Sequence, residues 1–393
     1  MKAIRLGLLP RIIIAIALGI GLGLVVPDGV TRLFLTFNAI FSQFLGFAIP
    51  LIILALVAEA IGSIGHSAGK MLLLTVAIAY GSTVFSGYLA YFTGDAIFPH
   101  LIEPGKVEQL QSAGEALTPY FTIEMPPVMG VMTALVLAFI LGLGVAHLES
   151  KALKHVIVDL KDIISDVIEK VIIPLLPLYI FGIFLEMASS GKVAGVLVVF
   201  IKIIGVIFAL HILLLLLQFT IAGVITKKNP LSLLGNMLPA YFTALGTASS
   251  AATIPVTLAQ SKKNGTSDGV ASFVVPLCAT IHLSGSTLKI VSCALALILM
   301  QGGTYDLGLF THFILLLGVT MVAAPGVPGG AIMAALAILQ SILGFSVEEQ
   351  ALMISLYITM DSFGTACNVT GDGAIALVVD KLLGHKVQGS ATA

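Results

Sequence analysis

The chain has 393 residues, 58% of them apolar and only 10% charged, and 19 basic against 20 acidic side chains leave a formal net charge of -1. Mean hydropathy is +1.10, whereas a soluble domain carries roughly 25% charged residues. This composition excludes a water-soluble globule, and near-neutral charge without a basic cluster gives no basis for a nucleic-acid partner.

Several apolar runs reach the roughly 20 residues needed to cross a bilayer, and period-2 alternation is absent, so an all-α membrane protein is expected rather than a barrel. The first run, Leu6 to Val26, contains Pro10 and Arg11 and lacks a small-residue cleavage site, so it reads as a retained span. Spans are predicted at about 8–26, 34–64, 70–96, 127–147, 166–189 and 193–226. Ser82 and Thr83 fall in the third of these. Glu59, Glu186, Lys202 and His211 are assigned to scaffold or interface roles, and Cys278, Cys293 and Cys367, without metal-type spacing, to reduced buried thiols.

After residue 230 the pattern changes. Between Pro230 and Lys263 two short apolar pieces flank the polar, small-residue centre Leu245 to Thr253. Each half is too short to cross, which predicts a re-entrant hairpin whose tip residues Ser249, Ser250 and Thr253 offer hydroxyls and N–H groups to a carboxylate. A seventh span, about 268–300, is interrupted at His282-Leu283-Ser284-Gly285-Ser286, with Gly285 as the expected unwound point. His282 is open to a core role or to a substrate or proton role, and Lys289, near mid-span, calls for an ion-pair partner that sequence does not name. A second hairpin is predicted at about 308–343, broken at Ala324-Pro325-Gly326-Val327-Pro328-Gly329-Gly330.

The last span, about 347–381, carries Asp361 and Asp372, with Thr365 and Asn368 on nearly the same face. Ionisable groups at membrane depth cost roughly 2.5–3.5 kcal/mol each on insertion scales, so these residues call for partners or a ligand. Hairpin, broken span, hairpin, polar span is an order stated twice with opposite orientation, the mark of an inverted repeat in a carrier. Most lysines and arginines flank one side, while Arg32, Lys106 and Lys192 flank the other, which predicts cytoplasmic termini. The acidic loop with Glu103, Glu108, Glu115 and Glu124 then faces out. A serine-lysine hydrolase built on Ser286 and Lys289, with His282 as base, lacks an evident oxyanion arrangement and leaves the repeated hairpins unexplained, while an ion channel is a rival that substrate-dependent counterflow would separate from a carrier.

Four motifs resemble the dicarboxylate/amino acid:cation symporter family over essentially the whole chain: Ser249 to Thr257, Pro276 to Ile281, Gly326-Val327-Pro328-Gly329, and Asn368-Val369-Thr370-Gly371-Asp372. The resemblance implies eight transmembrane spans plus two re-entrant hairpins in a glutamate-transporter-like elevator fold. It also implies a homotrimer in a bacterial-type inner membrane. Residues 1–229 would form the scaffold, with spans 1, 3 and 6 partly joining the moving part, 230–384 the transport core and 385–393 a tail. In that family the aspartate matching Asp361 holds the substrate amino group, the asparagine matching Asn368 its carboxylate, and Thr365 matches another substrate position. Serines matching Ser249 and Ser250 complete the cradle, Thr253 belongs to the same tip, and Gly326 to Gly329 form the lid.

Departures set the expected chemistry. Acidic-substrate members carry an arginine where this chain has Gly364, and archaeal members one where it has Ala248, so a neutral amino acid is favoured over a dicarboxylate. The family's Asn-Met-Asp-Gly-Thr signature reads His282-Leu283-Ser284-Gly285-Ser286, which removes an anionic sodium ligand. The cation or replacement-charge site is thus assigned to Ser82, Thr83, Thr280, His282, Ser284, Ser286, Lys289, Asn368 and Asp372. Sodium would keep Asn368 and Asp372, and Lys289, His282 or a proton would balance Asp372 in its place. No organic cofactor is implied, and the coupling ion is sodium, a proton or none.

Overall fold

Long apolar runs in lipid satisfy their backbone only internally, and helices do so within one segment. The computed structural model describes residues 8–64, 70–102, 117–147, 151–191, 193–324 and 329–388, and among them only helices, turns and short connections occur. The helices are α1 (Leu8–Gly23), α2 (Asp28–Ile64), α3 (Lys70–Leu101), α4 (Val131–His147), α5 (Lys151–Val167) and α6 (Ile173–Ser189). They continue with α7 (Val193–Thr226), α8 (Pro230–Thr247), α9 (Ser250–Lys263), α10 (Asp268–Ile281) and α11 (Ser284–Met300). The last four are α12 (Leu307–Val322), α13 (Gly330–Leu343), α14 (Val347–Thr359) and α15 (Asp361–Gln388).

Five stretches of the described residues are long and apolar enough to cross a membrane: Asp28–Glu59, Lys70–Leu101, Ala152–Ser189, Val196–Thr226 and Asp268–Met300. Shorter apolar helices cover Pro10–Gly23, Val136–His147, Leu307–Val322 and Gly330–Leu343. The expected span at 193–226 coincides with α7, whereas the one expected at 127–147 begins only at Val131. The span expected to start at 166 begins at Lys151, because α5 runs through a π-helical turn, Ile168–Ile172, into α6. Charged Lys154, Asp159, Lys161 and Asp162 disguise α5, yet Ile157 and Ile164 are buried at one-face spacing.

Helix packing falls into two groups. In the first, α2 packs on α4, α5 and α6, and α1 lies along α6. In the second, α11 contacts α3, α7, α12, α13, α14 and α15, while α15 also packs on α7, α8, α9 and α10. Every residue of α11 is buried, its polar Ser284, Ser286, Thr287, Lys289 and Ser292 included, which places the helix at the centre of the bundle. The contacts between the groups are sparser, chiefly α2 with α13 and α1 with α14.

Three interruptions position the site. α8 and α9 pack on each other through a two-residue joint, Ala248-Ser249, with Ala248 left-handed at φ 49°. α10 and α11 are separated by His282 and Leu283, both outside helical geometry. α14 and α15 are separated at Met360 (φ -110°, ψ 10°). α12 and α13 also pack on each other, while Pro325, Gly326, Val327 and Pro328 between them lie outside the described residues.

Candidate functional site

At the α8–α9 joint the hydroxyls are used unequally. Ser249 caps α9, its Oγ accepting from Ala252 N at 3.3 Å, and Thr253 Oγ1 donates to the Ser249 carbonyl at 2.8 Å. These two therefore hold the tip in shape. Ser250 is buried and lines the central cavity. Ala248, beside it in the lining, adopts a left-handed conformation that costs an L-residue roughly 1–2 kcal/mol, an expense met by the Ala248 N–H donating to Ala244 O at 2.8 Å.

The break between α10 and α11 turns His282 toward α15. Its Nδ1 lies 2.9 Å from Asp372 Oδ1 and its Nε2 3.0 Å from Ser82 Oγ on α3. Gln218 on α7 donates to Ser82 Oγ at 3.0 Å and to Ser284 Oγ at 3.2 Å. The hydroxyl of Ser82 can donate to a neutral imidazole or accept from a protonated one, so the network holds either form of the ring. Imidazole and carboxylate side chains are 0% and 1% exposed.

Asn368 stabilises the N-terminus of α11 from the neighbouring helix. Its Oδ1 accepts from Gly285 N at 2.7 Å and Ser286 N at 3.3 Å, and its Nδ2 donates to Ser286 Oγ at 3.1 Å. Tyr357 also donates to Ser286 Oγ, at 3.0 Å. Gly285 permits this approach: a Cβ there would stand 2.7 Å from both Cys367 Cβ and Gly364 O. It is thus a contact point in the first turn of α11; the unwound residues are His282 and Leu283, which corrects the position expected for the break.

Asp361 was expected within a continuous helix. Instead the break at Met360 sets it in the first turn of α15, where a carboxylate interacts favourably with the helix dipole. Nothing in Met360 forbids a helix; the arrangement gains from what reaches it. Lys289 crosses from α11 and puts Nζ 3.5 Å from Asp361 Oδ1, 3.2 Å from Met360 O and 3.7 Å from the centre of the Tyr357 ring. Ammonium over an aromatic face and beside the carbonyl end of α14 is doubly favourable. Gly364 makes room for it, since a Cβ at that position would lie 2.5 Å from both Cε and Nζ of Lys289. Asp361 Oδ2 accepts from Gly329 N at 2.8 Å, which ties the start of α13 to the same carboxylate.

These groups surround one cavity, lined among others by Ala248, Ser250, Thr280, Ser286, Asp361, Thr365 and Asn368. The space open to the centre of a water molecule is about 20 Å³, enough for a water or two. Thr365 Oγ1 donates to Asp361 O at 3.0 Å and Thr280 Oγ1 to Leu277 O at 2.8 Å, so both hydroxyls already have backbone partners. Thr83 Oγ1 is buried without a partner.

The expected replacement charges separate into two places. His282 lies against Asp372, while Lys289, which was also expected to balance Asp372, instead lies beside Asp361. Gln218, Tyr357 and Ser86, whose Oγ donates to Ser284 O at 2.7 Å, escaped the sequence reading because they sit in apolar spans without a motif. His211, assigned to the scaffold, reaches the first turn of α11 with Nε2 at 3.1 Å from Gly285 O. A buried histidine on an apolar helix was the one available signal.

Broken helices whose ends converge on a buried carboxylate, an amide and a small cavity define a membrane carrier of small solutes. The chain belongs to the sodium:dicarboxylate symporter family, whose model matches residues 8–382. It is a transporter rather than an enzyme, in keeping with the relatives it resembles. A serine/threonine transporter, SstT, of Acinetobacter baumannii is 29% identical over 395 residues, covering 96% of this chain and 97% of the relative. Excitatory amino acid transporter 1 of Ambystoma tigrinum is 31% identical over 283 residues, covering 67% of this chain and 50% of that protein. The human protein of the same name is 30% identical over 212 residues, covering 53% and 38%.

Proposed function

We propose that this protein carries a small neutral amino acid across the membrane as a zwitterion, without sodium as an obligatory companion. The observation that carries this reading is the charge balance of the cavity. Its carboxylate, Asp361, faces one lysine that it neutralises, and Gly364 and Ala248 add no further cation. A second carboxylate on the substrate would enter a low-dielectric site with no surplus positive charge, whereas a zwitterion adds no net charge. The substrate ammonium would bind Asp361, and its carboxylate would meet the free hydrogen of Asn368 Nδ2 and the hydroxyl of Ser250.

The coupling reading follows from Asp372 and Asn368. Asp372 already has an imidazole at 2.9 Å and Asn368 Oδ1 two backbone donors, so a sodium ion at these oxygens would compete with His282, Gly285 and Ser286. His282 thereby stands for the coupling cation, and transport is linked to a proton or to no ion.

The remaining parts follow the family plan: eight spans, two hairpins of opposite orientation, a homotrimer and cytoplasmic termini. Residues 230–384 move as an elevator against a scaffold from 1–229, and α3 and α7, which pack on α11 and α15, would travel with them. The tips at Ser249-Ser250 and Gly326-Val327-Pro328-Gly329 act as lids. Thermal stability in detergent tests the substrate: serine, threonine or alanine should raise the Tm without sodium. Stabilisation by aspartate or succinate alone, and only with sodium, would point to a sodium-coupled acidic-substrate carrier instead.

A further inference from the structure

An elevator carrier completes its cycle only if the emptied core returns across the membrane. An empty site that keeps a bare carboxylate returns poorly, because a charge without a partner is costly in a low-dielectric path. Here the carboxylate is never bare. Lys289, 0% exposed, sits within a preformed cage: the Asp361 carboxylate at 3.5 Å, the Met360 carbonyl at 3.2 Å, the Tyr357 ring at 3.7 Å, and the space above Gly364.

Two further features adjoin this cage. Asp361 uses its other oxygen to accept from Gly329 N at 2.8 Å, so the same carboxylate that holds Lys289 also holds the start of α13. The adjoining cavity, which Asp361 and Tyr357 help to line, has only about 20 Å³ open to water centres. The ammonium of Lys289 and that of an amino acid are the same chemical group seeking the same carboxylate.

We propose that Lys289 is a tethered surrogate for the substrate's ammonium: it takes over Asp361 when substrate leaves. The empty core thereby returns without a counter-transported cation. The protein then supports facilitated net flux of its substrate down a gradient, in addition to exchange of bound for free substrate. This rests on the carrier reading above. On loading, the substrate ammonium displaces Nζ from Asp361, and Lys289 stays on the Met360 carbonyl and the Tyr357 ring. Loaded and empty cores then carry equal net charge at this position.

The test compares two fluxes in proteoliposomes containing only N-methylglucamine as cation, with labelled serine outside. Net uptake into serine-free vesicles requires the empty return, whereas exchange against internal serine does not. In the wild type the two initial rates should agree within about threefold. In Lys289→Met the ratio of net uptake to exchange should fall at least tenfold. Gly364→Ala keeps the lysine but fills its space with a methyl 2.5 Å from Nζ, and the same fall is expected. An unchanged ratio in either variant would overturn the proposal, as would a wild-type net flux that needs internal potassium or sodium. Loss of both fluxes in both variants, with thermal unfolding as cooperative as in the wild type, would also overturn it, because Lys289 would then act on the loaded core. Absence of serine exchange in the wild type would remove the carrier reading together with this one.

Discussion

Two pairs of a basic side chain and a carboxylate, Lys289–Asp361 and His282–Asp372, connect α11 and the break before it to α15, and their surroundings differ. Asp361, in the Lys289 pair, lines the cavity and is bonded to Gly329 at the start of α13. The His282–Asp372 pair lies outside the cavity lining and is tied to α3 through Ser82 and, beyond it, to α7 through Gln218. The first borders the cavity and the start of α13, and the second links the α10–α11 break to α15, α3 and α7; the proposed function gives the first to the substrate and the second to the place of a coupling ion. A buried charge reads as structural or functional according to what else its partner touches.

Removing the shared carboxylate separates the two most sharply. Asp361→Asn should lower uptake at least a hundredfold in proteoliposomes, since it removes the ammonium receptor, and should destabilise the fold by about 3–5 kcal/mol by stranding Lys289. His282→Asn should cost a similar amount of stability, but its transport effect should depend on the ion supplied. Combining it with Ser284→Asp restores the family's asparagine and aspartate, and uptake by the double variant should become sodium-dependent by about tenfold. If the double variant remains indifferent to sodium, His282 does not occupy a cation's place.

Gly285→Ala tests the contact that joins the two pairs. A methyl 2.7 Å from Cys367 Cβ and Gly364 O should push α11 from α15 at a cost of about 1–3 kcal/mol, read as a lower Tm. At the other extreme, Lys262 and Asp268 form an exposed pair at 3.0 Å, and Lys262→Ala should change stability by under about 0.5 kcal/mol and leave uptake unaltered.

Much of this arrangement is legible in the sequence wherever local chemistry signals it. The small polar run around Ser249 and the interruption at His282 announce the joints of α8–α9 and α10–α11, and the spacing of Asp361, Thr365, Asn368 and Asp372 announces a polar face. The break at Met360 is silent, because methionine is a good helix former and neither glycine nor proline marks the spot. The partner of Lys289 is silent for another reason. Its place depends on what Gly364 lacks, a side chain 75 positions along the chain, and an empty space has no periodicity to detect. Likewise α5 looks like a loop because its charges dilute the apolar stripe that Ile157 and Ile164 bury.

Both buried carboxylates have a basic side chain of the protein's own beside them, Lys289 at Asp361 and His282 at Asp372, and the proposed function sets these in place of sodium. The direct test is initial uptake of labelled serine into proteoliposomes with sodium replaced by N-methylglucamine on both sides. Uptake within about twofold of that measured under an inward sodium gradient is the result expected. Uptake that vanishes without sodium and is restored by the gradient would contradict it.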